Sequence, residues 1–263
     1  MRITLTVCLT AALAGGCLLE TEDGAEALSE TDSAVVTSNR LAVNRLAVNR
    51  LAVNRLAVNR LAVNSLEAQA VMSTPEGRDV MSYVVGCAIP NGQSVTLADS
   101  TGVQYTLPGL VGLAPAWATR APTVSEQRWV TACLLARTNV NGVPVNISMR
   151  HDTNVALVTS AAERTQYSKV EGAFYGNLFA ATPTWFACSN RTWTQLVGTF
   201  RACALSANGI TTDCGFTYTG TCSSTATCSD KTAPFGSCKG QGVTYSEVIT
   251  INLTPSQQTG ATE

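Results

Sequence analysis

The sequence predicts an α+β fold: a single disulfide-stapled domain with two N-terminal helices, an antiparallel sheet and a loop-rich cysteine region. Two stretches with helical apolar spacing and capping residues, several period-two apolar alternations, and an even set of cysteines outside the leader carry that expectation. The domain is expected over residues 66–263, where eleven Lys/Arg face twelve Asp/Glu for a net charge of −1. Such near-neutrality gives no electrostatic case for nucleic acid.

The first helix is expected to start at Thr74-Pro75-Glu76, a capping hydroxyl followed by proline at the first turn. Val80, Met81, Val84, Val85 and Ala88 then recur on one face, with Cys87 at its edge, until Pro90-Asn91-Gly92. Alternation over Ser94 to Leu97 and Val103 to Leu107, about the turn-like Asp99-Ser100-Thr101-Gly102, predicts a hairpin. A second helix, from about Ser125 to Asn139, follows the capping-box pattern Thr123-x-x-Glu126 and places Cys133 to meet Cys87. Val143, Val145, Ile147 and Met149 alternate with polar residues as in a half-buried strand, with Pro144 at its start or an edge, and Ile249, Ile251 and Leu253 predict a closing strand.

Residues 1–16 read as an export signal: Arg2 precedes an uncharged stretch too short to span a bilayer. Leu13-Ala14-Gly15-Gly16-Cys17 resembles the lipobox of bacterial lipoproteins, with Ala14 where that family most often has leucine. The resemblance implies that Cys17 becomes an acylated N-terminus, carrying palmitate-type chains and partnering a lipid membrane. The rival is ordinary secretion, with cleavage after Ala14 and release of a soluble chain. Cysteine parity favours lipidation. Of ten cysteines, Cys8 leaves with the signal; lipidation consumes Cys17 and leaves Cys87, Cys133, Cys188, Cys203, Cys214, Cys222, Cys228 and Cys238, an even framework suited to an exported protein. The expected pairs are Cys87 with Cys133 and Cys188 with Cys203, the last four pairing among themselves. Leu18, where aspartate would mark inner-membrane retention, points to the outer membrane.

Residues 17–39 carry six acidic side chains and no basic one, and read as a flexible tether. Residues 40–65 repeat Leu-Ala-Val-Asn five times, with Arg40, Arg45, Arg50, Arg55 and Arg60 heading the units. Five residues advance about 140° net around a helix, and five is odd for a strand, so neither element gathers the leucines on one face. A spacer is the favoured reading over a short solenoid or a self-associating helix. Its arginines could rest on an anionic membrane surface.

Catalytic and metal signals are thin, and no catalytic residue, cofactor or metal site is assigned. The cysteines lack Cys-x2-Cys spacing, and the lone His151 is far from them in sequence. His151 beside Asp152 and Ser148 tempts a triad, but triads assemble in space; the expectation is a polar strand-end cluster in solvent. Glu163 and Glu171 are a weak acid/base candidate of the glycosidase type. Trp185, Trp193 and Tyr175, with His151, form the candidate ligand surface, although aromatics at this density more often anchor cores or loops. Gly172-x-x-x-Gly176 lacks an apolar twenty-residue context and reads as close packing or a turn.

Arg128 to Asn139, Val143 to Arg150, Glu171 to Phe179 and the Cys214-Gly215-Phe216 region together resemble a group of uncharacterised cysteine-rich exported lipoproteins from predatory soil bacteria. The resemblance runs loosely over residues 75–253 and implies localisation and architecture, with no activity to carry over. The expected function is a non-catalytic surface module binding an envelope glycan or a surface protein. An envelope hydrolase or a structural surface protein are the alternatives.

Overall fold

A computed structural model describes residues 36–38, 41–42, 66–139, 146–189 and 216–259. Cys17, Trp193, Cys203, Cys214, residues 143–145 of the expected strand and all but the start of the pentapeptide array lie outside the described residues.

Two short strands come first, β1 (Val36–Ser38) and β2 (Leu41–Ala42). Helix α1 (Leu66–Met72) and helix α2 (Pro75–Ala88) follow. α1 is an addition to the two helices expected; Ala68, Val71 and Met72 bury its inner side. α2 begins where the sequence indicated, with Thr74 Oγ1 accepting from Gly77 N at 3.0 Å. Strands β3 (Ser94–Ala98) and β4 (Gln104–Pro108) form the expected hairpin, pairing Leu97 with Tyr105 and Val95 with Leu107. Asp99 builds its turn by accepting from Thr101 N, Thr101 Oγ1 and Val103 N, while Gly102 takes φ +88°, a left-handed conformation that glycine adopts without a Cβ clash.

Helix α3 (Val124–Ala136) carries the full capping box: Glu126 N donates to Thr123 Oγ1, and Thr123 N donates to Glu126 Oε2. Strand β5 (Thr138–Asn139) follows directly and pairs in parallel with β2. Strand β6 (Asn146–Arg150), the short helix α4 (Ala161–Gln166) and the long strand β7 (Lys169–Asn177) lead to β8 (Thr184–Ser189), β9 (Thr217–Tyr218), the hairpin β10 (Cys238–Gly240) and β11 (Val243–Tyr245), the closing strand β12 (Ile249–Leu253), and helix α5 (Pro255–Thr259).

The principal sheet has the order β1-β6-β12-β7-β8-β9, antiparallel except for the β8–β9 pair. Strand alternation sends Ile147, Met149, Ile249, Ile251, Leu253 and Phe174 to one face, where they join the apolar sides of α1, α2 and α3 in the larger core. The opposite face sends Ala173, Tyr175, Phe186 and Cys188 into a second cluster with Phe235, Tyr245 and Val248. β7 is therefore buried on both faces from Glu171 to Asn177.

The Cys87–Cys133 disulfide joins α2 to α3 across 5.9 Å between Cα atoms, as expected. The expected partner of Cys188 is corrected: it bonds to Cys222, not Cys203, so the last four cysteines do not pair among themselves. Backbone pairing explains the choice. Thr219 N donates to Ala187 O, Ser189 N to Gly220 O and Cys222 N to Ser189 O, laying the chain after β9 along β8 and bringing Cys222 beside Cys188. Cys228 bonds to Cys238 between two antiparallel segments held by Lys239 N to Thr227 O and Ser229 N to Ser237 O. Removing a native disulfide from a small domain typically costs roughly 2–5 kcal/mol.

Candidate functional site

Three groups of polar side chains lie on or beside the sheet. The first is internal. Ser148 on β6 donates its hydroxyl to Glu163 Oε1 at 2.7 Å and accepts from Arg150 Nε at 2.9 Å. Arg150 Nη2 also donates to the carbonyls of Tyr167, at 2.7 Å, and Glu163, at 3.3 Å. These contacts pin α4, itself capped by Ser160 Oγ accepting from Glu163 N, onto the sheet. Burial pulls the Arg150 guanidinium below its ordinary pKa, with the Glu163 charge opposing. Glu163 and Glu171, the sequence's acid/base candidates, are each only 5% exposed, so neither presents its carboxylate to a solvent-filled cleft. Ser148 gives its proton to a carboxylate and has no histidine base in this network.

The second group corrects the expected place of His151. It is 5% exposed, not part of a cluster in solvent. Its ring meets Trp129 edge-on at 4.9 Å between centroids. Nδ1 lies 3.2 Å from Thr153 N, which donates to it, and Nε2 lies 3.5 Å from Gly236 O. Nearby, Asp230 accepts from Gly236 N and Ser229 Oγ; these donors, the Gly236 amide foremost, hold its carboxyl below the ordinary value, and the His151 charge acts in the same direction.

The third group lies one residue along α3. Arg128 stacks its guanidinium 4.9 Å from the Tyr245 ring centre and brings Nη1 to 3.6 Å from Glu247 Oε2. That separation exceeds the usual length of a charge-assisted hydrogen bond. Arg128 Nε and Glu247 Oε2 are both buried with no hydrogen-bond partner, although the Arg128 side chain as a whole is 27% exposed. Tyr245 is anchored by its hydroxyl, 3.2 Å from Thr184 Oγ1, and Gln127 Oε1 accepts from Asn177 Nδ2 at 3.1 Å. The N-terminal half of α3 thus presents Gln127, Arg128 and Trp129 to one end of the sheet. Register explains why the second and third groups adjoin: Arg150 pairs with Thr250, so the chain leaving β6 at His151 passes the chain entering β12 from Glu247.

Tyr175 is corrected as a ligand-surface candidate. It is fully buried, its hydroxyl sits 2.7 Å from Thr219 Oγ1 and donates to Lys239 O at 2.9 Å, and its ring packs near Phe186 and Tyr245. Burial, opposed by the Thr219 hydrogen bond, pushes its phenol up to about 12. Trp185 is half-buried against the larger core. Arg128, Trp129, Tyr245 and Glu247 were not legible as a site in the sequence, because nearly 120 residues separate the two halves and no spacing rule links them.

The sulfurs of Cys188, Cys228 and Cys238 lie within 4.8 Å of one another, with Cys188 and Cys228 Sγ 3.7 Å apart. As thiolates they would suit a soft cation, but each is bonded within a disulfide and is not a thiolate ligand in this state. No known protein family, curated protein or solved structure matches the chain.

Proposed function

We propose that this chain is a lipid-anchored envelope protein whose domain binds an envelope glycan at the rim formed by Arg128, Trp129, Tyr245 and Glu247. The observation that carries the reading is the loose Arg128–Glu247 pair, in which Nε and Oε2 retain unused hydrogen-bonding capacity beside the Tyr245 ring, with Trp129 the next residue along α3. Sugars are recognised by that combination: hydroxyls bridge a donor and an acceptor of opposite charge, while ring C–H faces lie on aromatics. Tyr245 and Glu247 are only 4% and 6% exposed, so binding here requires the 27% exposed Arg128 side chain to move off the ring it covers. A binding role rather than catalysis is supported by the way Ser148, Glu163 and Arg150 satisfy one another within the fold. An acylated Cys17 would present this rim at the membrane surface, with the acidic tether and the arginine-bearing repeats as its stalk.

Two measurements test the reading. Titration of the full chain with purified envelope oligosaccharide is expected to show saturable binding that Arg128→Ala or Glu247→Gln weakens at least about tenfold, the scale of one charged hydrogen bond; unchanged affinity in both variants would refute the rim. Cys17→Ser is expected to move the protein from the membrane to the soluble fraction, and a mature N-terminus at Gly15 would refute the anchor.

A further inference from the structure

Two disulfides meet at one point on the face of the sheet opposite α1, α2 and α3. Cys188 on β8 is bridged to Cys222, and Cys228 is bridged to Cys238 where two antiparallel segments touch. The sulfurs of Cys188 and Cys228, which share no bond, lie 3.7 Å apart, and Cys238 Sγ is within 4.8 Å of both. All four cysteines are at most 2% exposed and belong to the second apolar cluster, with Tyr175, Phe186, Phe235 and Val248. Their sequence positions contain no close ligand pair, so the fold alone gathers them: Cys222 N donates to Ser189 O beside Cys188, and Cys228 forms a backbone bridge with Cys238.

The spacing between the bridges is that of a metal site. Zinc binds cysteine sulfur at about 2.3 Å, and a tetrahedron of that radius has its corners about 3.8 Å apart. The contact between Cys188 and Cys228 already has this length. Opening the bridges frees Cys222 and Cys238 to swing to the same spacing by rotation about χ1. Four cysteine sulfurs select a soft ion of the zinc or copper(I) kind over magnesium or calcium, which take oxygen ligands. The apolar residues around them exclude water that would compete for the ion.

We propose that Cys188, Cys222, Cys228 and Cys238 form a four-sulfur zinc site in the reduced protein, exclusive with the two disulfides of the oxidised one. Two equivalents of a dithiol reductant open the bridges: each passes two electrons and two protons to one disulfide and closes into its own cyclic disulfide. Zinc then displaces the four thiol protons as four Zn–S bonds form. Two equivalents of a disulfide oxidant reverse the exchange, taking two electrons from each pair of thiolates, rebuilding both bridges and releasing the ion. Either closure ties β8 to the segments that carry Cys222, Cys228 and Cys238, so this face of the sheet stays covered in both redox states. In the reduced chain, zinc binding and ordering of that face are one event, because the covalent staples are gone. The proposal does not depend on what the Arg128 rim binds.

Zinc content of the full chain, measured after free metal is removed, tests it. Reduced with a phosphine and supplied with zinc, the protein is expected to retain one ion per chain, and the oxidised protein treated alike is expected to retain none. Cobalt(II) in place of zinc is expected to give the intense absorption of a tetrahedral thiolate site. Reduced Cys228→Ser is expected to lose zinc affinity by more than the roughly 10–100-fold that follows loss of a group hydrogen-bonded to a ligand. Cys203→Ser combined with Cys214→Ser is expected to keep the ion. The amides of Ser229 and Lys239, which pair with Ser237 O and Thr227 O, are expected to be protected from hydrogen exchange in the reduced, zinc-loaded protein. No zinc in the reduced protein, equal zinc in both redox states, unchanged affinity in Cys228→Ser, or loss of the ion in the Cys203 and Cys214 double variant would overturn the site. Zinc bound while both amides exchange freely would show that loose thiols hold it, and would overturn its place in the fold.

Discussion

At the scale of single residues, burial decides the role of nearly every chemically suggestive side chain. Ser148 looks like half of a catalytic pair in the sequence and is a structural donor and acceptor in the fold. Ser148→Ala leaves a buried carboxylate oxygen and a guanidinium nitrogen each short of a partner, which costs about 1–3 kcal/mol. Urea unfolding midpoints measure this; a change under about 0.5 kcal/mol would show that the network contributes nothing. Tyr175 gives a pH signature. Its phenol is raised from 10.0 to about 12 in the folded protein, chiefly by burial. A raised group stabilises the fold fully below its unfolded value and loses that contribution as pH rises through the folded one. Stability is therefore expected to fall between pH 10 and about 12, and Tyr175→Phe is expected to flatten that limb when unfolding is followed against pH.

At the scale of elements, end signals and alternation transferred well from sequence to structure, and buried segments did not. Thr74-Pro75 and Thr123-x-x-Glu126 start α2 and α3 where local chemistry demands, since their side chains satisfy amides that no helix can satisfy internally. The β3–β4 hairpin and β12 were legible because each alternates or sits beside a turn. β7 was not legible: Ala173 and Tyr175 face one core while Phe174 faces the other, so the strand carries no polar face to mark its period. α4 escaped notice because six residues span less than two turns. The α3 cap also yields a pH prediction. Burial raises the Glu126 carboxyl, but Arg120, at 2.7 and 2.8 Å, and the Thr123 amide outweigh it and bring the pKa below its ordinary value. A lowered carboxyl contributes stability above its unfolded pKa and loses it as pH falls through the folded one. Glu126→Gln is expected to cost about 1 kcal/mol at neutral pH, in the range of capping losses, and less in acid. Equal losses at pH 7 and pH 3 in thermal unfolding would contradict the charge-assisted cap.

At the scale of the whole molecule, the sheet is closed on both faces, by helices on one and by disulfide-linked loops on the other. Aromatic side chains therefore do not by themselves mark a ligand surface. Tyr175 belongs to the disulfide side's core, whereas Arg128 and Trp129 come from the helical side and meet Tyr245, Glu247 and His151 where the two layers join at the end of the sheet. Such a site is assembled by register, with Arg150 opposite Thr250, and register between distant segments is invisible in a single sequence. The cysteines show the same limit: parity indicated that they pair, and Cys87–Cys133 followed from helix placement, but Cys188–Cys222 depends on where the chain after β9 lies against β8.

The most direct test of the binding rim is nuclear magnetic resonance of the Arg128 Nε–H and the Trp129 indole N–H during titration with envelope oligosaccharide. The Arg128 Nε–H lacks a hydrogen-bond acceptor in the free protein, so both signals are predicted to shift together and saturably, with the response lost in Glu247→Gln. Saturable binding that leaves both signals unmoved would place the ligand elsewhere and contradict the account.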